Sequence, residues 1–391
     1  MLPLILLLIP ASFVIAAGAT AIVLALSRRA GLADTPPMPG QIKQRRAVPN
    51  TGGIGIVAGI VLPIVAMMLI ATLLGEDFAR AVLPESQAER IAKHLPGLRS
   101  KIPLALAFLA GALALHAMGL VDDRRPLGPR LKLAITILPA LALALLTDTR
   151  LLTLLDAYPG GYALSVAITV VWFLAVTNAL NFIDNMDGLS AGVAMIASAC
   201  FLVAALMSAQ LFVASVLSLT VGACAGFLLF NFPPARIFMG DGGSLVLGFT
   251  LAFLTTRTTY TGESPTGEPL AGGWYALFMP LVILAVPLYD MLSVTLIRVR
   301  QGKSPMVGDL QHLSHRLVKR GLSRRAAVLV IWGMTGATGI SGIALPALAP
   351  WQAVLVGVQT ATLLAVLAAF EFASSPARTG LPAIDPGAPD A

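Results

Sequence analysis

Long apolar segments separated by shorter polar stretches recur along almost the whole chain. A helix needs roughly 17 to 25 mostly apolar residues to cross the hydrocarbon core of a membrane. The pattern therefore predicts an all-α, polytopic helical bundle of about eleven transmembrane helices within one domain, residues 1–373. The predicted spans are 3–27, 53–75, 102–121, 131–148, 163–183, 188–208, 210–231, 244–258, 274–297, 326–348 and 351–373. We expect the Pro- and Ala-rich tail, 374–391, to be disordered.

Composition supports the same class and excludes others. Hydrophobic residues make up 57% of the chain and charged residues 12%, whereas a soluble domain carries roughly a quarter charged residues. This balance excludes a soluble enzyme and a disordered protein. The alternating segments of about ten residues that are typical of outer-membrane barrels do not occur in the sequence.

Loop charge predicts the orientation, because positive residues concentrate on the cytoplasmic side of membrane proteins. With the N-terminus outside, 19 of the 26 Lys and Arg residues fall in or beside the inner segments. Those segments are 28–52, 122–130, 184–187, 232–243, 298–325 and the tail. We therefore predict an outer N-terminus and a cytoplasmic C-terminus. The net charge of +7 then reflects basic loops rather than a nucleic-acid partner.

Two adjacent carboxylates, Asp122 and Asp123, end the third apolar segment on this predicted cytoplasmic side. Carboxylates at the edge of a membrane are candidates for a functional site. Neighbouring carboxylates repel each other unless a cation lies between them, and Mg²⁺ commonly binds one or two carboxylates together with substrate phosphates. The alternative is a solvated helix end whose charge Arg124 and Arg125 balance.

Polar residues also end the fifth apolar segment, at Asn178, Asn181, Asp184 and Asp187. So many polar groups at the end of an apolar helix are costly unless each finds a partner. If the segment is helical, Asp184 and Asp187 share one face. The alternative is a polar junction between helices, although amides alone would suffice for that.

A glycine-rich turn, residues 240–243, carries Asp241. Pro233 and Pro234 end the helix before it, and we expect the next helix to begin near Ser244. Backbone N–H groups at a helix N-terminus favour phosphate, which Asp241 would repel unless it holds a metal ion that bridges the two. The alternative is an ordinary turn in which Asp241 caps the helix.

His312 and His315 precede a basic run in the last large loop. On a helix the two imidazoles would face the same way. A zinc site is the alternative, but no cysteine lies nearby in the sequence and no third ligand is evident. Imidazoles beside Lys and Arg side chains fit better as donors to phosphate. The basic run also fits a topological anchor on the cytoplasmic side.

Taken in order, these motifs resemble those of the polyprenyl-phosphate N-acetylhexosamine-1-phosphate transferases, from Asp34 to about Arg325. The resemblance rests on Val48–Gly53, Asp122–Arg124, Asn178–Leu189, Phe238–Ser244 and His312–Leu317. It implies transfer of a sugar 1-phosphate from a UDP-sugar to a lipid phosphate, with release of UMP. It also implies Mg²⁺ as cofactor, with Mn²⁺ as an ion that could replace it, and a bacterial inner membrane with the active site on the cytoplasmic face.

The resemblance also implies a role for each matching residue. The implied catalytic residues are Asp122, Asp123, Asp184, Asp187, His312 and His315. The implied metal ligands are Asp241, Asp122 and Asp123. The implied substrate-binding residues are Lys43, Arg45, Arg46, Lys132, Asn178, Asn181, Asn231, Phe238 and Arg316. Within this group, Asn231 and Phe238 correspond to residues that hold and stack the uracil.

Three positions depart from the family pattern. Asn185 stands where the family often has Gly, Ser314 where it often has a further His, and Gln44 where the first cytoplasmic loop usually has His. The paired-acid and histidine motifs are more similar to the GlcNAc-1-phosphate branch than to the muramoyl-pentapeptide branch. We therefore expect transfer of GlcNAc 1-phosphate from UDP-GlcNAc to undecaprenyl phosphate. Phospho-N-acetylmuramoyl-pentapeptide transferase is the alternative within the family.

A lipid phosphomonoester with a second pKa of about 6 is already mostly dianionic at neutral pH. The larger obstacle is to bring two anions together, which calls for cations more than for a general base. We therefore expect direct in-line attack on the β-phosphorus, with a two-step route through a phospho-aspartate as the alternative. A transporter or flippase that uses the same acids as ion sites is the alternative from another class. The expected partners are the two substrates and the lipid bilayer, without nucleic acid, and a homodimer stays open.

Overall fold

The computed structural model describes residues 2–31, 48–73, 85–258, 274–304 and 311–372. Within those ranges the chain forms α-helices and short 3-10 turns but no strand, which confirms the all-α prediction. The helices are α1 (Leu2–Arg29), α2 (Gly53–Leu73), α3 (Glu85–Ser100), α4 (Ile102–Asp122), α5 (Pro129–Leu146), α6 (Gly161–Phe182), α7 (Leu189–Met207), α8 (Leu211–Asn231), α9 (Asp241–Arg257), α10 (Met279–Ile283), α11 (Ala285–Arg300), α12 (Leu313–Lys319), α13 (Arg324–Ala344) and α14 (Pro350–Phe372). The predicted tail, 374–391, lies outside the described residues.

A helix lies at each of the eleven predicted spans, but not every helix has the length and apolarity of a membrane span. Among the described residues, eight helices meet both conditions: α1, α2, α4, α6, α7, α8, α13 and α14. The bent pair α10 and α11 makes a ninth if it is counted as one span. The chain is a multi-pass membrane protein. The count of eleven stays a prediction, and so do the sides on which the two termini lie.

Helices α10 and α11 meet at a bend of 66° within the predicted span 274–297. Pro287 has no N–H for the carbonyl of Ile283, and its ring would clash with that carbonyl in a continuous helix. Helix α10 therefore ends at Ile283, and α11 begins at Ala285.

Helix α9 is the centre of the bundle, and every residue from Gly242 to Thr256 is buried. Phe249 stacks with Phe108 of α4 at a centroid distance of 6.1 Å. The helix begins at Asp241, three residues before the predicted start near Ser244. The cause is Gly240, whose φ of 70° and ψ of 173° are readily adopted only by glycine and turn the chain directly into the helix.

Helix α1 lies in a groove between α2 and α8 that small residues make possible. A Cβ on Gly222 of α8 would lie 2.2 Å from the carbonyl oxygen of Ile9. The hydroxyl of Ser12 lies 2.9 Å from the carbonyl oxygen of Gly59 and 2.7 Å from that of Leu219. These contacts, made within the helices, hold α1, α2 and α8 in a fixed relation to one another.

Arg150 fixes the connection between α5 and α6, which follows the last residue of α5. Its side chain is 4% exposed, and both terminal nitrogens bind the carboxylate of Asp156, at 2.9 and 2.8 Å. Its Nε donates to Asp148 at 2.7 Å. These three hydrogen bonds stabilise the conformation of the connection between α5 and α6. Between the second and third predicted spans lies the polar helix α3, which the apolar pattern does not predict.

Candidate active site

Two glycine-rich segments meet at the end of the bundle where α9 begins. The N–H of Phe238 donates to the carbonyl of Pro49 at 2.8 Å. The N–H groups of Gly52 and Gly53 donate to the carbonyls of Phe238 and Met239, at 2.9 Å each. The motifs Val48–Gly53 and Phe238–Ser244, far apart in sequence, therefore form one structural unit.

Helix α4 passes so close to this unit that only glycine fits at Gly119. A Cβ there would lie 2.3 Å from the backbone nitrogen of Gly242 and 2.5 Å from the carbonyl carbon of Asp241. One turn earlier, Nδ1 of His116 lies 2.7 Å from the carbonyl oxygen of Gly242, a contact not predicted from the sequence. The close crossing brings the paired carboxylates at the end of α4 to the first residue of α9.

Two carboxylates, those of Asp122 and Asp241, pair with one ammonium group, and the carboxylate of Asp123 lies beside that of Asp241. We call Asp122, Asp123 and Asp241 the carboxylate centre. Nζ of Lys132 pairs with Oδ2 of Asp122 and lies 3.3 Å from Oδ2 of Asp241. Oδ1 of Asp123 accepts from Nδ2 of Asn50 at 2.9 Å and from the N–H of Asp241 at 3.2 Å. The structure thus brings together four predicted site residues, Asp122, Asp123, Lys132 and Asp241, and adds Asn50 of the Val48–Gly53 motif.

Asn181 of helix α6 fixes the centre from another side. Its Nδ2 lies 3.0 Å from Oδ1 of Asp241 and 2.9 Å from the hydroxyl of Ser244. Asp184, just beyond the end of the same helix, is close enough for its charge to act on Asp123. Asn181 and Asp184 therefore belong to the same site as the carboxylate centre.

The carboxylate centre favours a bound cation. Burial, and then the neighbouring charge of Asp241, raise the pKa of Asp123 to about 8. Its Oδ2 is buried and has no hydrogen-bond donor among the described residues. Among the described residues, no three His, Cys, Asp or Glu side chains are arranged so that they alone could coordinate a metal ion. Mg²⁺, however, commonly uses one or two carboxylates with phosphate oxygens and waters, and this donor set fits that requirement.

The polar cluster that follows α6 is a turn and not a helix. Helix α6 ends at Phe182, and Gly188, with a φ of 72°, reverses the chain before α7. The segment is not helical, so the condition under which Asp184 and Asp187 would share one face is not met. Oδ2 of Asp187 accepts the N–H of Ala235 at 3.0 Å, so this carboxylate ties the turn to the segment after α8.

Asn231, the last residue of α8, binds the same turn through its side-chain amide. Its Oδ1 accepts the N–H of Gly188 at 2.9 Å, and its Nδ2 donates to the carbonyl of Ile237 at 2.8 Å. Both Asn231 and Phe238 are buried, and Nδ2 of Asn178 donates to a carbonyl of its own helix. The contacts of Asn231 and Asn178 indicate structural roles, and the substrate-binding roles of all three stay predictions.

His312 is held by two buried side chains of α11 that the sequence motifs did not include. Oδ2 of Asp290 lies 2.9 Å from its Nδ1, and Nη2 of Arg298 lies 3.3 Å from its Nε2. A carboxylate only accepts and a guanidinium only donates, so these contacts fit the tautomer with the hydrogen on Nδ1. One signal could have found Asp290, because a carboxylate inside an apolar span is a functional candidate.

The predicted placement of His312 and His315 on one helical face is wrong. Helix α12 begins at Leu313, and His312 precedes it with an extended backbone, ψ 151°. Oδ1 of Asp290 accepts the N–H of Leu313 at 2.6 Å. The same carboxylate therefore orients the imidazole of His312 and satisfies the first N–H of the helix on which His315 lies.

Two positions that depart from the family pattern contact each other. The hydroxyl of Ser314 donates to Oδ1 of Asn185. Since Ser314 lies on α12 and Asn185 in the turn after α6, this bond links the histidine helix to the turn that carries Asp184 and Asp187.

The remaining predicted cations are not brought to the centre by the described contacts. Nε of Arg316 lies 2.6 Å from Oε2 of Glu371 in a buried ion pair, which indicates a structural role, and its substrate-binding role stays a prediction. Lys43, Arg45 and Arg46 lie outside the described residues, as does Gln44.

We expect Asp290→Asn to lower kcat about tenfold. Each carboxylate oxygen of Asp290 accepts one hydrogen bond, from His312 and from Leu313. An amide offers only one acceptor oxygen, so its NH₂ group must face one of the two donors. Steady-state rates and the thermal midpoint of the purified protein measure this effect.

Asp290→Glu, which keeps both acceptor oxygens, should recover part of the lost rate. His312→Ala should add little to Asp290→Asn, because both changes disturb one unit. Fully additive losses would show that Asp290 does not act through His312.

Comparison with known proteins agrees with these motifs. The profile of glycosyl transferase family 4 matches residues 105–259. A probable undecaprenyl-phosphate N-acetylglucosaminyl 1-phosphate transferase of Bacillus subtilis is 30% identical over 64% of this chain and 68% of its own length. A decaprenyl-phosphate N-acetylglucosaminephosphotransferase of Mycolicibacterium smegmatis is 33% identical over 66% of both chains. A phospho-N-acetylmuramoyl-pentapeptide-transferase of Desulforudis audaxviator is 32% identical over 65% of this chain and 78% of its own length.

Proposed function

Because the chain belongs to glycosyl transferase family 4, we propose that it transfers GlcNAc 1-phosphate from UDP-GlcNAc to undecaprenyl phosphate, giving the lipid diphosphate sugar and UMP. The observation that carries the proposal is the carboxylate centre with Lys132 at one end of an apolar bundle. A water-soluble nucleotide and a membrane lipid can meet at such a place. The names of the Bacillus and Mycolicibacterium relatives support the same reaction.

The reaction is one displacement at phosphorus. An oxygen of the lipid phosphate forms a bond to the β-phosphorus of the UDP-sugar. The bond from that phosphorus to the oxygen bridging it to the α-phosphorus breaks, and its electron pair leaves with UMP. No proton has to be removed from a dianionic lipid phosphate. The protein therefore has mainly to position the two phosphates and to offset their negative charge.

The described residues suit that task. Asp122 and Asp241 hold the ammonium of Lys132 between them, where it can bind phosphate oxygens. Asn50 and Asn181 hold the carboxylates of Asp123 and Asp241 in fixed orientations. These carboxylates would hold Mg²⁺, which when bound supplies positive charge to the diphosphate.

A cavity of about 620 Å³ offers room for part of the lipid tail. It lies between helices α10, α11 and α14, and its lining is almost entirely apolar, including Phe278, Leu281, Leu288, Leu292 and Leu364. Helix α11 separates this cavity from His312, since Leu288 lines the cavity while Asp290 binds the imidazole. We propose that the polyprenyl chain enters here, with the active site on the cytoplasmic face of a bacterial inner membrane.

Two other functions make different predictions. The muramoyl-pentapeptide reaction has support from the relative in Desulforudis, which aligns over 78% of its length. A transporter would place its ion-binding residues near the midplane on broken helices. The carboxylate centre lies instead where α4 ends and α5 and α9 begin, which favours an enzyme.

The test is UMP release by the purified protein with Mg²⁺ and undecaprenyl phosphate, with UDP-GlcNAc and UDP-MurNAc-pentapeptide compared side by side. We expect release with UDP-GlcNAc alone, and none without the lipid. Release with UDP-MurNAc-pentapeptide alone would assign the protein to the muramoyl-pentapeptide branch of the family. No release with either donor would contradict the proposal.

A further inference from the structure

The last turn of α14 meets the histidine helix α12 through charged groups. Nε of Arg316 lies 2.6 Å from Oε2 of Glu371, whose side chain is fully buried. The guanidinium of Arg320, at the end of α12, donates to the backbone carbonyl of Glu371 through Nε at 3.0 Å and Nη2 at 2.6 Å. Glu371 of α14 therefore binds two arginines, Arg316 within α12 and Arg320 directly after it.

Helix α11 completes this junction. Nη2 of Arg316 donates to the hydroxyl of Ser293 at 2.8 Å, and the hydroxyl of Tyr289 lies 3.4 Å from Oε2 of Glu371. The neighbour of Tyr289 in sequence is Asp290, which binds His312. The ion pair and the support of the imidazole are therefore built on the same short stretch of α11.

Packing of α14 does not require this buried charge. Only 17% of its apolar window is buried, and the cavity lies between it and helices α10 and α11. An apolar helix remains in a membrane without an ion pair, and a buried ion pair often contributes little net stability after its desolvation cost. Oε1 of Glu371 is buried with no hydrogen-bond partner among the described residues, which adds to that cost. A role beyond stability would explain why the charge is kept.

We propose that Glu371 is a positioning residue and that α14, through it, sets the orientation of the histidine helix. The carboxylate fixes the guanidinium of Arg316, and Arg316 fixes α12 against α11. His312 and His315 then stand in a defined relation to the carboxylate centre. The effect on catalysis rests on the proposed function. Helix α14 lies outside the stretch that matches the family profile, residues 105–259, so that match does not assign it this role.

Glu371→Gln tests the proposal, because it keeps the size of the side chain and removes the charge. We expect kcat/KM for UDP-GlcNAc to fall about tenfold. The thermal midpoint should fall as well, because the buried charge of Arg316 is left without its counter-charge. We also expect faster hydrogen exchange in residues 313–319 and unchanged exchange in α9. Arg316→Gln should do the same, and the double variant should be no worse than the poorer single one.

Thr362→Val is the matched control on the same helix. Its hydroxyl is exposed and, among the described residues, binds the carbonyl of Val358, one turn back, so rates and exchange should match those of the wild type. The proposal would be overturned if Glu371→Gln lowered the thermal midpoint but left kcat, KM and exchange in 313–319 unchanged, or if the two single losses were additive. If the wild type released no UMP, the proposed function would fail, and the exchange data would still decide whether Glu371 orders α12.

Discussion

Replacement of Asp241 by Asn is expected to lower UMP release by about 10²–10³-fold. Oδ1 of Asp241 accepts the amide of Asn181, and Oδ2 lies 3.3 Å from Nζ of Lys132. An amide keeps one acceptor oxygen, so its NH₂ group must face one of these two donors. The substitution also removes a negative charge that would hold Mg²⁺. Steady-state rates at several Mg²⁺ concentrations measure the effect.

The same substitution should not unfold the protein. The charge of Asp241 is one cause of the raised pKa of Asp123, which means that the two carboxylates repel each other when no metal ion is bound. Asp241→Asn relieves that repulsion. We therefore expect, in Mg²⁺-free detergent solution above pH 8 where Asp123 is mostly ionised, a thermal midpoint equal to the wild-type value or higher, together with the loss of activity.

Asp148→Asn is the matched control for this change. The side chain of Asp148 is 72% exposed, and Arg150 keeps its two bonds to Asp156. Asn tolerates the backbone of this position, φ 51°, better than most residues. Rates should stay within a factor of about two, since exposed ion pairs contribute little. An Asp241→Asn variant as active as Asp148→Asn would contradict the assignment of the centre.

The apolar pattern predicts the helices well because each span must satisfy its own backbone in lipid. It gives their positions to within a few residues, but it does not separate a span from a shorter buried helix. Helix α9 has 17 residues and is buried on all sides, so protein rather than lipid surrounds it. The bend at Leu284 depends on the missing N–H of Pro287, a local effect that mean hydropathy over a long window does not contain.

For the candidate site, the sequence predicts where the polar residues lie but not which partners they bind. Carboxylates and amides at the ends of apolar segments indicate the centre because polar groups there are costly without partners. Which partner each one takes depends on helix packing, and sequence spacing does not contain that information. Asp290 and Glu371 show the difference, since each pairs with a residue of the 311–320 segment that lies more than 20 positions away in the chain. The substrate-binding role that the resemblance implies for Arg316 stays a prediction, and its ion pair with Glu371 could not be predicted because the partner is distant in sequence.

Gly119→Ala is expected to lower activity about 10²-fold, the cost of moving catalytic groups by about 1 Å. Helix propensity alone predicts the opposite, because alanine stabilises a helix by about 1 kcal/mol relative to glycine. The new Cβ, however, would lie 2.3 Å from the backbone nitrogen of Gly242, and a backbone atom cannot rotate away. Helices α4 and α9 must then separate, and with them the carboxylates of Asp123 and Asp241. Rates and the thermal midpoint should both fall.

Gly333→Ala is the control that separates the effect of helix propensity from the effect of the clash between the new Cβ and a neighbouring backbone. Gly333 lies inside α13, where nothing is within 4 Å of a new Cβ, so the substitution should raise the thermal midpoint slightly and leave activity unchanged. If Gly119→Ala behaved in the same way, the geometry of the carboxylate centre would not depend on the close crossing of α4 and α9. If only Gly119→Ala loses activity, the glycine is required by the approach of two backbones, and the site depends as much on that missing side chain as on its charged ones.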